Sequence, residues 1–190
     1  MIRAVALWIA MSLLAPAAPS VGCVGRTLYI GTLDGAEGRV LVELYCLLIV
    51  ERTGTTAYPV LFDSREALYR AAREGKVDIL LENMEAALQM LTKEGMVVST
   101  APEDGAKRYR LLKSLYEQRL GLIWLGSGGQ GMLPVIRKKT LQDFPALPRV
   151  LRKLSKVLDA RVLKGLSERH KKGQRAERLA REFLRDRKLI

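Results

Sequence analysis

Few residues in this chain combine the types and spacing that covalent chemistry needs. The single histidine, His170, lies in the basic run Glu168-Arg169-His170-Lys171-Lys172, and the only cysteines are Cys23 and Cys46. Ser64 has no histidine nearby to activate it as a nucleophile. Two cysteines and one histidine supply no clustered ligand set for a metal. Glu82 and Glu85 fall three apart, the spacing of neighbours on one helix face, which alone is a weak basis for an acid/base pair. The chain therefore reads as non-enzymatic and without cofactor.

One literal motif needs disposal. Gly126-Ser127-Gly128-Gly129-Gln130-Gly131 matches the dinucleotide fingerprint G-x-G-x-x-G. That fingerprint works only where a helix begins directly after it, so that the helix N-terminus meets a pyrophosphate. Here Met132-Leu133-Pro134-Val135-Ile136 follows, an extended run containing proline, and no Lys-Ser or Lys-Thr pair completes a P-loop. The segment reads as a flexible glycine bridge.

The elements that must position any site alternate in type. Short apolar runs predict strands at 27–31, 58–62, 77–81, 120–125 and 133–137, with a further short one at 97–98. Helical spacing predicts helices at 37–53, stopped by Gly54, at 64–74, closed by Gly75, and at 84–93 and 104–119. Thr140 with Asp143 resembles a capping pair opening a short helix, and helices follow at 147–157, 160–171 and 174–187. In the last of these Ala176, Leu179, Ala180, Phe183 and Leu184 form one stripe, expected to dock on the core. Such alternation implies a mostly parallel sheet covered by helices on both faces.

In an open parallel sheet, ligands bind beyond the carboxyl ends of the strands. The loops there are residues 32–37, 63–65 and 82–84, which makes Asp34, Glu37, Ser64, Arg65, Glu82 and Asn83 the candidate ligand-binding residues. Helix N-termini beside them offer N–H groups to a carboxylate. Asp34 and Glu82 are the carboxylates that would face a cation, although a quaternary ammonium also wants aromatic faces and these loops hold none. Read more plainly, Glu82 is an acid favourably placed near the first turn of the next helix.

The N-terminus bears on compartment. Arg3, an apolar run over residues 4–14 and the small residues of Ala15-Pro16-Ala17 form the three-part pattern of a secretory signal peptide over residues 1–22. Cleavage after Ala17 would release a soluble product. Cleavage before Cys23 would leave a lipid-anchored one, since Val21-Gly22-Cys23 fits the end of a lipoprotein box, with Ser20 where such boxes usually have Leu. Cys46 lies in an apolar stretch and reads as a small core residue; a bridge to Cys23 has no spacing rule behind it.

Residues 23–190 then make one ordinary domain. Its charge is lopsided: residues 134–190 hold 18 Lys and Arg against 6 Asp and Glu, a net of +12 that equals the whole-chain figure. An export signal and the lack of a recognition motif or stacking set argue against nucleic acid. An anionic membrane surface or a merely solvated basic helical face remain the two readings.

Several segments together resemble a known family. TLYIGTLDGAEGRVLVELYCLLIVERTG, LFDSREALYRAAREGKVDILLE, RLGLIWL, PVIRKKTLQDFPALPRVLRKLS and AREFLRDRKLI are similar to segments in one lobe of the substrate-binding proteins of glycine betaine/choline/carnitine (osmoprotectant) ABC transporters. The resemblance covers residues 28–125 and 134–190. It implies a single lobe of a type II periplasmic-binding-protein-like fold, with residues 126–132 bridging the place of the second lobe. It also implies an ABC permease as partner, a small quaternary-ammonium or zwitterionic ligand, a periplasmic or cell-surface location, and an uncovered lobe face open to self-association. Ser64 and Arg65 match the family's second loop. The first loop has Gly35 and Ala36 before Glu37 where relatives typically carry an aromatic and Thr, and Leu81 and Asn83 flank Glu82 where tyrosines often stand. The scaffold thus matches better than the pocket, and an interaction lobe without ligand is the alternative.

If the lipobox reading holds, Cys23→Ser moves the exported protein from the membrane to the soluble fraction and abolishes metabolic acyl labelling. Unchanged fractionation would rule the anchor out.

Overall fold

The computed structural model describes residues 25–96, 104–126 and 131–190. Five strands form one sheet: β1 (Leu28–Leu33), β2 (Ala57–Phe62), β3 (Ile79–Glu82), β4 (Leu122–Trp124) and β5 (Leu133–Arg137), in the spatial order β2-β1-β3-β5-β4. β1 pairs in parallel with β2 and β3, whereas β5 lies antiparallel to both β3 and β4. Four strands thus share one direction and β5 alone runs against them, a mostly parallel sheet.

Alternation along each strand divides the interior in two. Leu28, Ile30, Ile79, Leu81 and Ile136 face one core, while Leu80, Leu122, Trp124, Leu133 and Val135 face the other. Against the first lie α1 (Ala36–Thr53), α6 (Leu147–Ser155), α7 (Ala160–Lys171) and α8 (Ala176–Asp186). The second is covered by α2 (Arg65–Arg73), α3 (Met84–Lys93) and α4 (Gly105–Leu115). The first core is two helices deep, because α1 is enclosed between the sheet and α6, α7 and α8. Its unbroken run of buried residues over 44–49 is the composition of such an enclosed helix. Each Leu or Ile so buried contributes roughly 1.5–3 kcal/mol. The α8 stripe docks there as expected, with Leu179, Ala180 and Leu184 fully buried.

β2 is an edge strand. Leu28 N–H donates to Thr56 O and Asp34 N–H to Phe62 O, so the even-numbered residues of β2 turn their backbone groups toward β1. Pro59 therefore falls at an outward position, where it removes an N–H that another chain's strand would pair with.

At the amino end of the sheet, Asp78 is 3% exposed and is satisfied by three donors: Arg26 Nη2 at 2.8 Å, Tyr29 N at 3.1 Å and Thr140 Oγ1 at 2.7 Å. Thr140 is therefore not the cap the sequence suggests. It lies inside α5 (Lys138–Asp143), whose cap position holds Arg137, and its hydroxyl turns inward because a buried carboxylate outbids an exposed helix end. Asp143 instead pairs with Arg26.

One further detail departs from the sequence pattern. The helix predicted over 104–119 ends as α at Leu115 and continues as a π-helical turn, Tyr116–Leu120, before Gly121. Cys46, as expected of a core residue, is a buried free thiol whose pKa burial pushes well up. The short strand expected at 97–98 lies outside the described residues.

Removing one partner of a buried charge cluster leaves the others uncompensated. Asp78→Ala is expected to lower unfolding stability by about 3 kcal/mol, read as a lower urea midpoint at an unchanged slope; a loss under about 0.5 kcal/mol would show that the cluster is solvated.

Candidate functional site

The strand order itself marks a location. The chain leaves β1 through α1 to reach β2 on one side, and leaves β2 through α2 to reach β3 on the other. The order thus reverses between β1 and β3, and a crevice opens beyond their carboxyl ends. A cavity of about 840 Å³ lies there, within the usual size of small-molecule sites.

The amino ends of four helices reach its wall: Glu37 of α1, Met84 and Glu85 of α3, Gly105 and Arg108 of α4, and Ala160 of α7. Leu41, Met132, Leu158 and Leu163 supply apolar surface, and Asp159 and Lys164 add charge from the α7 end. Three of the helix starts are capped by side chains. Asn83 Oδ1 accepts from Ala86 N at 2.7 Å, Asp104 Oδ1 from Ala106 N at 2.7 Å, and Asp159 Oδ1 from Val162 N at 2.7 Å. The fourth depends on a glycine: a Cβ on Gly38 would stand 2.0 Å from Leu33 O. Only a residue without that atom lets the first turn of α1 rest on the end of β1 and present Glu37 to the cavity.

Of the six residues expected from sequence, Glu37 and Asn83 reach the cavity. Asp34 turns aside to Arg39, whose Nε lies 2.7 Å from Oδ1 and Nη2 2.9 Å from Oδ2; this pair holds the Asp34 carboxyl below the usual range. Ser64 caps α2 by accepting from Ala67 N at 3.2 Å. Arg65 and Glu82 bind each other, with Nε to Oε2 at 2.7 Å, and Glu82 is 1% exposed. Glu82 Oε1 also accepts from Asn83 N at 2.9 Å. The carboxylate expected to face a cation thus has the chain's own guanidinium for its cation.

The apparent pairing of Glu82 with Glu85 does not survive the fold. Glu82 ends β3 and points into the core beside Arg65, whereas Glu85 stands exposed on α3, 3.2 Å from Arg108. The three-residue spacing means neighbours only within a helix, and the helix starts at Met84. Arg108, Asp159 and Lys164 escaped sequence reading because nothing local marks them. The helix starts were legible, but their convergence was not.

Aromatic side chains gather behind this wall rather than on it. Tyr116 meets Trp124 edge-on at 5.3 Å, Tyr109 meets the same indole at 6.4 Å, and the Tyr69 and Tyr116 hydroxyls hydrogen-bond each other. Burial pushes the pKa of both of those hydroxyls up, which keeps them protonated. None of these rings is among the residues lining the cavity.

Among solved structures, the fold is similar to that of apo YehZ from Escherichia coli, with a TM-score of 0.70 at 13% identity over 87% of this chain and 100% of that one. It is also similar to a glycine betaine/carnitine/choline ABC transporter protein, with a TM-score of 0.72 at 12% identity over 86% and 98% of the two chains. No protein-family model and no curated protein matches the sequence. The class this defines is structural: a five-stranded α/β sheet flanked by helices, the fold shared with these two structures.

The Arg65 to Glu82 pair is the testable element of the wall. Arg65→Ala leaves Glu82 buried without its cation and is expected to cost about 3 kcal/mol in denaturant unfolding. Arg65→Met with Glu82→Gln recovers most of that loss; a double variant no better than the single one would show that the pair does not act as a unit.

Proposed function

We propose that this chain is a non-enzymatic substrate-binding component of an ABC transporter, built on one lobe, for a small osmolyte of the glycine betaine or choline type. The observation that carries this reading is the cavity at the strand-order reversal. Its wall carries both signs of charge: Glu37 and Asp159 toward a cationic group, and Lys164 and the helix N-termini toward a carboxylate, with Glu85 and Arg108 paired beside them. Similarity to a glycine betaine/carnitine/choline transporter protein supports the ligand class.

In this reading the connection over residues 126–132 stands where a two-lobed receptor inserts its second lobe. β4 and β5 are antiparallel neighbours, and Leu125 N–H donates to Pro134 O at 2.9 Å, so the two ends that this connection joins lie side by side. Closure of one lobe on another is then not the mechanism. The protein acts outside the membrane, held there through Cys23, and presents its ligand to the permease. No described helix is long and apolar enough to cross a membrane.

A second reading is favoured by one observation. Asp34, Ser64, Glu82 and Asn83 already spend hydrogen bonds within the fold, and no ring lines the cavity. A lobe so satisfied would serve as an interaction protein without ligand.

Calorimetric titration with glycine betaine, choline, carnitine and proline separates the two. Binding at about micromolar strength or tighter, weakened for choline roughly tenfold by Glu37→Gln, supports the first reading. No heat with any of the four, in folded protein, leaves the interaction lobe.

A further inference from the structure

The excess positive charge of residues 134–190 is not spread evenly over the surface. On α7 and α8 most cations have acidic partners: Arg169 and Arg178 with Glu182, Lys171 with Glu168, Arg175 with Glu177, and Arg181 with Glu51. On α6 the pattern is different. Leu147-Pro148-Arg149-Val150-Leu151-Arg152-Lys153-Leu154-Ser155 contains no acid, and Lys156 follows at its cap. Arg149, Arg152, Lys153 and Lys156 are all exposed, and none has an ion-pair partner among the described residues.

Their spacing puts them on one line. Positions i, i+3, i+4 and i+7 share a helix face, and Leu147, Leu151 and Leu154, which are buried against the core, occupy the opposite face. At about 1.5 Å per residue the stripe is roughly 10 Å long. It carries no aromatic side chain for base stacking, so its chemistry is that of a row of mobile point charges facing solvent.

A second observation says what lies in front of it. The chain enters the fold beside the start of α6. Arg26 is bound to Asp143 and holds its guanidinium 5.9 Å from the Phe144 ring, and Phe144 O accepts from Leu147 N at 3.1 Å, where α6 begins. The Arg26 side chain, near the start of the described chain, thus packs on the segment that leads into α6.

From these placements we infer that the α6 stripe of Arg149, Arg152, Lys153 and Lys156 is a docking face for the anionic headgroups of a lipid bilayer. Point charges on flexible stems suit a fluid array of phosphates, and they bind it without a groove. A polybasic patch beside a chain entry point also supplies the second signal that a single acyl chain needs for stable membrane attachment. The inference is independent of the cavity and of any small ligand.

The test uses the chain from residue 23 onward carrying Cys23→Ser, so that neither an acyl group nor the apolar run over residues 4–14 contributes, with vesicles of phosphatidylcholine alone or mixed with phosphatidylglycerol. The parent is expected to co-sediment with the mixed vesicles only, and to release in high salt. Graded neutralisation along Arg149→Gln, Arg152→Gln, Lys153→Gln and Lys156→Gln is expected to weaken binding about fivefold per charge removed. A control carrying Lys172→Gln, Arg185→Gln and Lys188→Gln is expected to bind like the parent. Equal partition onto phosphatidylcholine, a fully neutralised stripe that binds unchanged, or a control that loses as much as the stripe would each overturn the inference. Stripe-dependent retention on polyglutamate with none on vesicles would also overturn it, in favour of an acidic protein surface.

Discussion

The antiparallel insertion of β5 between β3 and β4 is the constraint on which the rest of this molecule depends. β4 touches the sheet only through β5, and β5 comes from the far side of the glycine segment. The register Ile79 to Ile136 and Leu80 to Val135 on one side, and Ile123 to Ile136 and Trp124 to Val135 on the other, closes both cores at once. A slip of one residue would turn Val135 and Ile136 to the wrong cores. Because β5 runs against its neighbours, its amino end meets the carboxyl ends of β3 and β4, and this puts Met132 on the cavity wall.

Charge is handled differently in three places. At the amino end of the sheet and beneath the cavity, buried carboxylates are saturated by the chain itself: Asp78 by Arg26, Thr140 and a backbone N–H, Glu82 by Arg65. These clusters lock the chain's entry and the β3 to α2 junction, and they leave little free valence for a ligand. At the cavity rim, charges of both signs stand near helix ends. On α6 none of the four cations has an ion-pair partner among the described residues. The fold thus neutralises its inner charges and leaves an acid-free basic row on the outer face of one helix.

Much of the fold was legible because its signals are local. Apolar runs of strand length, Ser64 and Asn83 before apolar helices, and Gly54 and Gly75 after them all act within a few residues. Thr140 misled for the same reason: its spacing to Asp143 satisfies a local rule, but its hydroxyl is claimed by Asp78, more than sixty residues away. Glu82 and Arg65 were both identified as candidates but not as partners, since nothing near Glu82 in sequence reveals that the first residue of α2 would reach it across β1.

The amino-acid sequence by itself determined the element types, the alternation that makes a sheet with helices on both faces, and the basic bias of the last third. Those properties are set by composition and short-range spacing, which the chain carries whatever its tertiary arrangement. The tertiary structure alone decided which side chains meet: that Glu82 is spent on Arg65, that the aromatic rings lie behind the cavity and not on it, and that the four cations of α6 face outward while its leucines are buried. Each of these follows from contacts between segments far apart in sequence, where proximity is decided by strand order and helix packing and no local pattern encodes it.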